Sequence, residues 1–337
     1  MNQFEGFITK HNLPKYRLNQ LEQQYYRNCI EDWDSLSTFP LDIREKLKEE
    51  VPIFSLHNTQ CITSKDGKSE KLLAYTVDSK AVEAVLMKSD KRITVCISCM
   101  SGCPVGCLFC STGQMGYYRS LTTREIVDQV MYFKRKLYKQ KEDITNVVFM
   151  GMGEPMLNLD SVLQAIDILV DKMGMSVRHI TVSTSGYIPQ LKKFMKVNRG
   201  VKIAISLHAP NQEIREKIMP TVAKVYPLDS LMKTLIEYQK KTNKRITYEY
   251  TMMDGVNDSK ENAEELSTLL KHQLCLVNLI RYNDSMSDEF KKSSSKKIRD
   301  FQNILTKNGI NNTLRHSYGN DIYAACGQLA TIKAKSE

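Results

Sequence analysis

From residue 92 onward, short apolar runs alternate with longer amphipathic stretches. ITVCIS, NVVFMG, HITVSTS, KIAISLH, ITYEYTM and CLVNLIR have strand length and β-branched character, and the segments between them carry apolar residues at helical spacing. One of these helices opens on the capping box Thr122-x-x-Glu125, and another is expected near 160–172. Successive βα units predict an α/β fold with a parallel sheet. Six such strands fit a partial (βα)6 barrel, with active groups at the C-terminal ends of the strands. A last amphipathic helix near 296–307 and the strand NNTLRHS lead into the tail DIYAACGQL.

Two other textures precede the barrel pattern. Over residues 1–50, Tyr16, Leu18, Leu21 and Tyr25 are spaced for one apolar helix face, and LDIREKLKEE after Pro40 gives a later helix. This predicts a small N-terminal helical accessory domain. Over 51–91 the runs QCITS, KLLAYTV and AVEAVLM flank the polar turn SKDGKSE and predict a short β insert, which leaves 92–337 as the barrel unit. There is no internal repeat, and KKSSSKK reads as a short solvated loop.

Charge narrows the class of partner. Among 337 residues, 48 lysines and arginines against 38 acidic residues give a net charge of +10, the signature of a protein that meets polyphosphate, although basic enzymes of other kinds share it. The first residues, MNQFEGFITKHN, lack the pattern of a secretory signal, and no stretch approaches the roughly 18 uninterrupted apolar residues of a membrane span. A soluble cytoplasmic protein is expected. Of nine cysteines, five crowd between Cys96 and Cys110, which in a reducing compartment favours metal or redox chemistry over structural disulfides.

The sequence Cys103-Pro-Val-Gly-Cys107-Leu-Phe-Cys110 is C-x3-C-x2-C placed just after a strand. Three thiolates can ligate three irons of a four-iron cluster and leave the fourth iron open to an external chelate. The alternative is a structural zinc site, which normally takes four ligands in C-x2-C pairs; Cys96 and Cys99 stand at that spacing, but a set of two such pairs leaves Cys103 without a role, and the C-x3-C-x2-C triad is not of that form. The spacing favours the cluster.

With Phe109 ahead of its last cysteine, the motif is similar to that of the radical S-adenosylmethionine superfamily. CIS before it, GMGEPMLN from Gly151, STSG from Ser183, SLHAPN from Ser206, GVND from Gly255, NLIRYN from Asn278 and the tail DIYAACGQL together resemble the RlmN/Cfr family of RNA adenine methyltransferases, in the family's order over essentially the whole chain. The resemblance implies a 4Fe-4S cluster, two S-adenosylmethionine molecules per turnover and a low-potential electron donor. It implies 23S rRNA as substrate, with tRNA a possible second one, and no membrane partner. The target carbon of adenine is electron-poor and non-acidic, so polar methyl transfer is closed to it. The family's solution is to methylate a protein cysteine and then take a hydrogen atom from that methyl group with a 5'-deoxyadenosyl radical.

Carried over position by position, the resemblance makes Cys326 in AACGQL the methyl carrier, although a lone cysteine is ordinarily a small buried hydrophobe. It makes Cys96 the partner that forms a disulfide with Cys326 when the adduct with RNA is resolved, and Glu83 in AVEAV the proton acceptor, where a satisfied structural carboxylate is the plain alternative. Gly153, Glu154, Ser183, Ser206, Leu207, His208 and Asn283 correspond to S-adenosylmethionine contacts, and Cys103, Cys107 and Cys110 to cluster ligands. Cys99 stands where the family has serine and receives no role; Cys29, Cys61 and Cys275 read as packing residues.

The RNA surface is less legible. KRKLYKQK and KKSSSKK are basic but of a kind usually found on solvated faces, and Tyr117, Tyr118 and Arg119 are candidates for stacking or phosphate contact. The helical accessory unit is a candidate for RNA contact, and extrusion of the adenine into the barrel mouth is expected. RlmN-like members modify carbon 2 and Cfr-like members carbon 8. Pro155, STSG and SLHAPN look RlmN-like, whereas Arg281 and SYGNDI look more like Cfr. The cofactor-pocket segments weigh more, so carbon 2 is expected.

Overall fold

The computed structural model describes residues 3–330 except 284 and 286–288, so the outermost residues of the first and third expected units lie outside the described part. The strands are β1 (His57–Thr63), β2 (Ser69–Tyr75), β3 (Ala81–Ser89), β4 (Arg92–Ile97), β5 (Met100–Gly102), β6 (Tyr117–Ser120), β7 (Asn146–Phe149), β8 (Ile180–Thr184), β9 (Lys202–Ser206), β10 (Ile246–Met252), β11 (Cys275–Arg281) and β12 (Asn312–Arg315). Ten of them form one sheet in the order β1-β2-β3-β4-β7-β8-β9-β10-β11-β12. From β4 onward every pairing is parallel. The six expected barrel strands are present, and the NNTLRHS strand adds a seventh by pairing with β11.

The strands read as an insert do not stand apart. β1, β2 and β3 pair antiparallel in sequence, and β3 pairs with β4, so they continue the barrel sheet across a hairpin. Tight hairpin connections make sequential antiparallel pairing the nearest way to satisfy backbone donors at an open sheet edge. β5 and β6 form a separate two-stranded ribbon that ties together the base of the cysteine-motif loop.

Side chains from all seven parallel strands, among them Cys96, Val148, Ser183, Ser206, Glu249, Ile280 and Arg315, line one cavity, so the sheet curves around it. On the other face Val95, Val147, Val182, Ile203, Tyr248 and Val277 belong to the main hydrophobic core that the helices cover. The helix Thr123–Lys139 starts on the expected capping box, with Thr122 and Glu125 each closing the other's backbone donor. The expected helix at 160–172 is Leu159–Asp167 continued by a π turn to Lys172.

The N-terminal helices Gln3–Lys10, Tyr16–Glu22 and Leu41–Glu50 bury their apolar residues in the main core, and Phe4 and Tyr25 meet the helix Thr123–Lys139 at the Arg124 guanidinium. Leu21 and Tyr25 are buried as the spacing predicts, but Tyr16 is 55% exposed. A π turn over Gln23–Arg27 adds a residue to the helical repeat, which shifts the phase and buries Tyr25 and Tyr26 together. Docking runs through buried Asp128. It accepts from the Tyr25 hydroxyl (2.8 Å), from the backbone and hydroxyl of Ser55 (2.7 Å each) and from Arg124 Nε (2.8 Å). Asp128→Ala leaves the part-buried Arg124 cation without its carboxylate, which typically costs about 3–5 kcal/mol. The urea midpoint of the variant is expected to fall accordingly, and an unchanged midpoint would show that the network is not what docks this unit.

Candidate active site

The loop Cys103–Cys110 leaves the C-terminal end of β4 through the β5–β6 ribbon and ends on the short helix Ser111–Gln114. A Cβ on Gly113 would lie 2.8 Å from the Cys107 nitrogen, so only glycine lets this helix close against the loop. Cys103, Cys107 and Cys110 all line the cavity. Burial is the largest influence raising each thiol's pKa; Cys103 is pushed up to about 12, and each of the three is further raised by neighbouring cysteines. Binding iron as thiolates therefore displaces protons, and the group held must repay that cost. Among the described residues no three His, Cys, Asp or Glu side chains stand at the spacing of a single metal ion. A four-iron cluster does not ask for that spacing, since each thiolate takes a different iron. The soft donor set fits the cluster.

Beside the cysteines lies a polar wall built from strand ends. Gly153 has φ +100°, and a Cβ there would come within 2.6 Å of Met100, so the turn that carries Glu154 into the cavity requires glycine. Glu154 is buried; it accepts from Met156 N–H (3.0 Å) and from the Ser185 N–H and hydroxyl (2.7 Å each). Burial raises its pKa, opposed by hydrogen bonds from Ser185, Thr184 and Met156. A carboxylate fixed in this way suits an ammonium group. The Ser183 and Ser206 hydroxyls stand 3.3 Å apart on neighbouring strands.

His208 has φ +56° and accepts at Nδ1 from the Thr251 backbone N–H (3.0 Å). Burial, with Arg215 adding to it, pushes its pKa down to about 3. The ring is neutral, its proton is on Nε2, and it serves the cavity as a donor.

The third wall is the C-terminal segment. Ser111 N–H donates to the Gly327 carbonyl (2.8 Å), and Thr112 Oγ1 to the Leu329 carbonyl (2.6 Å), which fastens the tail to the end of the cysteine loop. Asn283 donates to the Cys326 carbonyl (3.1 Å), so a residue expected to hold cofactor also positions the expected carrier. Cys326 is exposed at the cavity, Cys96 is buried in its wall, and the two are unlinked. Burial, with Cys326 nearby, pushes the Cys96 thiol up to about 12.

Two expected residues lie away from the cavity wall. Leu207 is in the main core, and its backbone N–H donates to Glu249 O. Glu83 on β3 is fully buried and paired with Lys71 (3.2 Å), which also donates to the Tyr323 carbonyl (3.4 Å) just before the carrier segment. Arg119 is engaged by Asp78 (3.0 Å) and Glu125 (2.6 Å), so its charge is already matched, while Tyr117 and Tyr118 are exposed.

Sequence reading missed Arg315 and Glu249, both lining the cavity. Glu249 accepts from Asn278 (2.9 Å) and from Arg315 (3.3 Å), and Arg315 also approaches the Met150 sulfur (3.5 Å). Burial opposes the Arg315 charge, but Cys326, Glu249 and Cys96 outweigh it and raise its pKa. The available signal was the alternation in ITYEYTM, where Tyr248, Tyr250 and Met252 fill the core and Glu249 faces the other way.

A curved, mostly parallel sheet with three cysteines and a fixed carboxylate at its strand ends defines a radical S-adenosylmethionine enzyme, and residues 97–266 match the family model described as Radical SAM superfamily. Its cofactors are a 4Fe-4S cluster and S-adenosylmethionine. The crystal structure of a radical SAM methyltransferase from Sphaerobacter thermophilus superposes with a TM-score of 0.93 at 40% identity, covering 96% of this chain and 95% of that one. The dual-specificity RNA methyltransferase RlmN of Campylobacter hominis is 40% identical over 96% of this chain and 94% of its own length. The ribosomal RNA large subunit methyltransferase N of Nitrosopumilus maritimus is 40% identical over 98% and 96%. The chain belongs to the RlmN family.

Proposed function

We propose that this enzyme methylates carbon 2 of an adenine in 23S rRNA, and of an adenine in tRNA, through a methyl group carried on Cys326. The observation that carries this reading is the fastening of the Cys326 segment to the cysteine loop, so that carrier and cluster ligands line one cavity. Cys103, Cys107 and Cys110 hold the cluster. Gly153, Glu154, Ser183, Ser206, His208 and Asn283, with the backbone of Leu207, hold S-adenosylmethionine. The cluster and S-adenosylmethionine, given an electron from a low-potential donor, supply the radical that takes a hydrogen atom from the Cys326 S-methyl group.

The chain's own groups do the rest. Cys326 would present its methyl carbon to the adenine ring. Once the adduct has given its ring proton to Glu83 and one electron back to the bound cluster, the Cys96 thiol would attack the Cys326 sulfur, breaking the S–CH2 bond to leave a Cys96–Cys326 disulfide while the thiol proton completes the new methyl group. Lys71 ties Glu83 to the carrier segment through Tyr323. The helical unit 1–50 joins the barrel unit 92–337 in contacting RNA, and the exposed Tyr117 and Tyr118 on the ribbon beside the cysteine loop add to that surface. Among the described residues no helix is long and apolar enough to cross a membrane, and ribosomal and transfer RNA place the work in the cytoplasm.

Carbon 2 is favoured over carbon 8 because STSG and SLHAPN supply Ser183, Thr184, Ser185, Ser206 and His208 to the cavity wall; of the Cfr-like features, Ser317 and Tyr318 of SYGNDI also line it, whereas Arg281 is directed to Ser295 (3.3 Å) and does not. RNA from cells with and without the gene, digested and resolved by mass spectrometry, is expected to differ in 2-methyladenosine. Finding only 8-methyladenosine would overturn the choice of carbon, and finding neither would overturn the RNA-adenine reading.

A further inference from the structure

The helix Gln212–Ile218 runs behind the cysteine loop. Leu108 N–H donates to the Ile218 carbonyl (3.0 Å), and Ile218, Met219 and Val222 form an apolar cluster against which all three motif cysteines pack. From this helix Arg215 points into the protein and is fully buried. Its Nη2 donates to the Ser185 carbonyl (2.5 Å), while Nε and Nη1 have no hydrogen-bond partner among the described residues. No ion pair with a carboxylate accompanies it among those residues, an expensive arrangement for a cation that cannot shed its proton at physiological pH.

The Arg215 helix backs the cysteine loop, and the residue's own hydrogen bond reaches the Ser185 carbonyl on the cofactor side, where its charge opposes protonation of the His208 ring. The guanidinium therefore stands behind both the cysteine loop and the cofactor wall. Through Ser185 it is also joined to Glu154, since the Ser185 N–H and hydroxyl both donate to that carboxylate.

We propose that Arg215 is the fixed counter-charge of the iron-sulfur cluster, a positioning residue whose buried cation favours the reduced cluster and so raises its reduction potential. This rests on the reading that Cys103, Cys107 and Cys110 hold the cluster. A four-iron cluster on three thiolates is anionic and gains a further negative charge on accepting an electron. A cation held at constant distance in a low-dielectric interior stabilises the reduced form more than the oxidised one. With no carboxylate partner among the described residues, the field of buried Arg215 is left to act on the cluster, which explains why an otherwise costly arrangement is kept.

The test uses the full chain, reconstituted anaerobically as wild type, Arg215→Lys, Arg215→Gln and Cys107→Ala, with iron per chain and the midpoint potential from an EPR-monitored titration as readouts. Arg215→Gln keeps a donor for Ser185 without the charge and is expected to shift the one-electron equilibrium against reduction by about tenfold, a fall of about 59 mV. Arg215→Lys keeps the charge and should stay near wild type. Equal potentials in wild type and Arg215→Gln, or equal shifts in the Lys and Gln variants, would overturn the proposal.

If Arg215→Gln fails to hold iron, iron retention decides: retention by Arg215→Lys supports the counter-charge, and loss from both variants sinks it. Iron-free Arg215→Gln should melt no lower than iron-free wild type, because it lacks a buried cation that has no ion pair among the described residues. A lower melt would assign Arg215 a structural role. Wild-type iron content in Cys107→Ala would instead refute the ligand reading, separately from any result at position 215.

Discussion

Cys326→Ala abolishes RNA methylation, to below roughly one part in 10^4 of wild-type turnover, the scale on which loss of a covalent group is felt. Cys326 is exposed, so its replacement opens no cavity and stability should stay within about 0.5 kcal/mol. The segment's position does not depend on the thiol either. Asn283 holds the carbonyl of residue 326, Ser111 and Thr112 hold residues 327 and 329, and Gln328 accepts from Ala325 N–H (3.2 Å). The variant is therefore expected to load its cluster and to release 5'-deoxyadenosine when reduced with S-adenosylmethionine, while no methyl group reaches RNA. Chromatography of the nucleoside products with mass spectrometry of the RNA separates the two halves of the reaction. Methylation persisting in this variant would remove the carrier mechanism and leave the cluster reading intact.

Cys107→Ala has the complementary result. Its iron should fall from about four per chain to well below one after anaerobic reconstitution, and reductive cleavage of S-adenosylmethionine should fall with it. Cys99→Ala is the control, because Cys99 is also buried and raised in pKa by burial, with Glu154 and Cys103 adding to it, yet does not line the cavity. Its backbone N–H donates to the Met152 carbonyl, which the substitution leaves untouched. Equal iron loss in the two variants would mean that general burial, and not ligation by the motif, governs cluster retention.

These two residues differ in how they could be read. Cys107 announces itself because ligands three and four positions apart on one loop must face a common group, and that constraint is local. The strands and the Thr122 capping box were legible for the same reason: periodicity and end-capping act within a few residues. The N-terminal helix was misread at Tyr16, because that residue opens the helix Tyr16–Glu22 two positions before Leu18 and five before Leu21, spacings that put it on another face from those two. Glu249 was half-visible as a carboxylate on the inward face of β10, but its partners Asn278 and Arg315 lie on β11 and β12, and no local pattern names a cross-strand partner. Arg215 looked like any arginine in an amphipathic helix. Only the packing of that helix behind the cysteine loop buries it, and charge in a sequence carries no sign of burial.

The sequence by itself determined the βα order, the cysteine triad and the family's segments, since each is written in short-range spacing. The tertiary structure decided that β1–β3 extend the barrel sheet, that Glu83 pairs with Lys71, and that the tail returns to the cysteine loop. That last contact joins Thr112 and Leu329, which are 217 positions apart. Chain spacing places no limit on so distant a meeting. It is settled by which backbone donors the curved sheet leaves to be satisfied at its mouth, and the same closure brings Cys326 to the cavity that the three motif cysteines line.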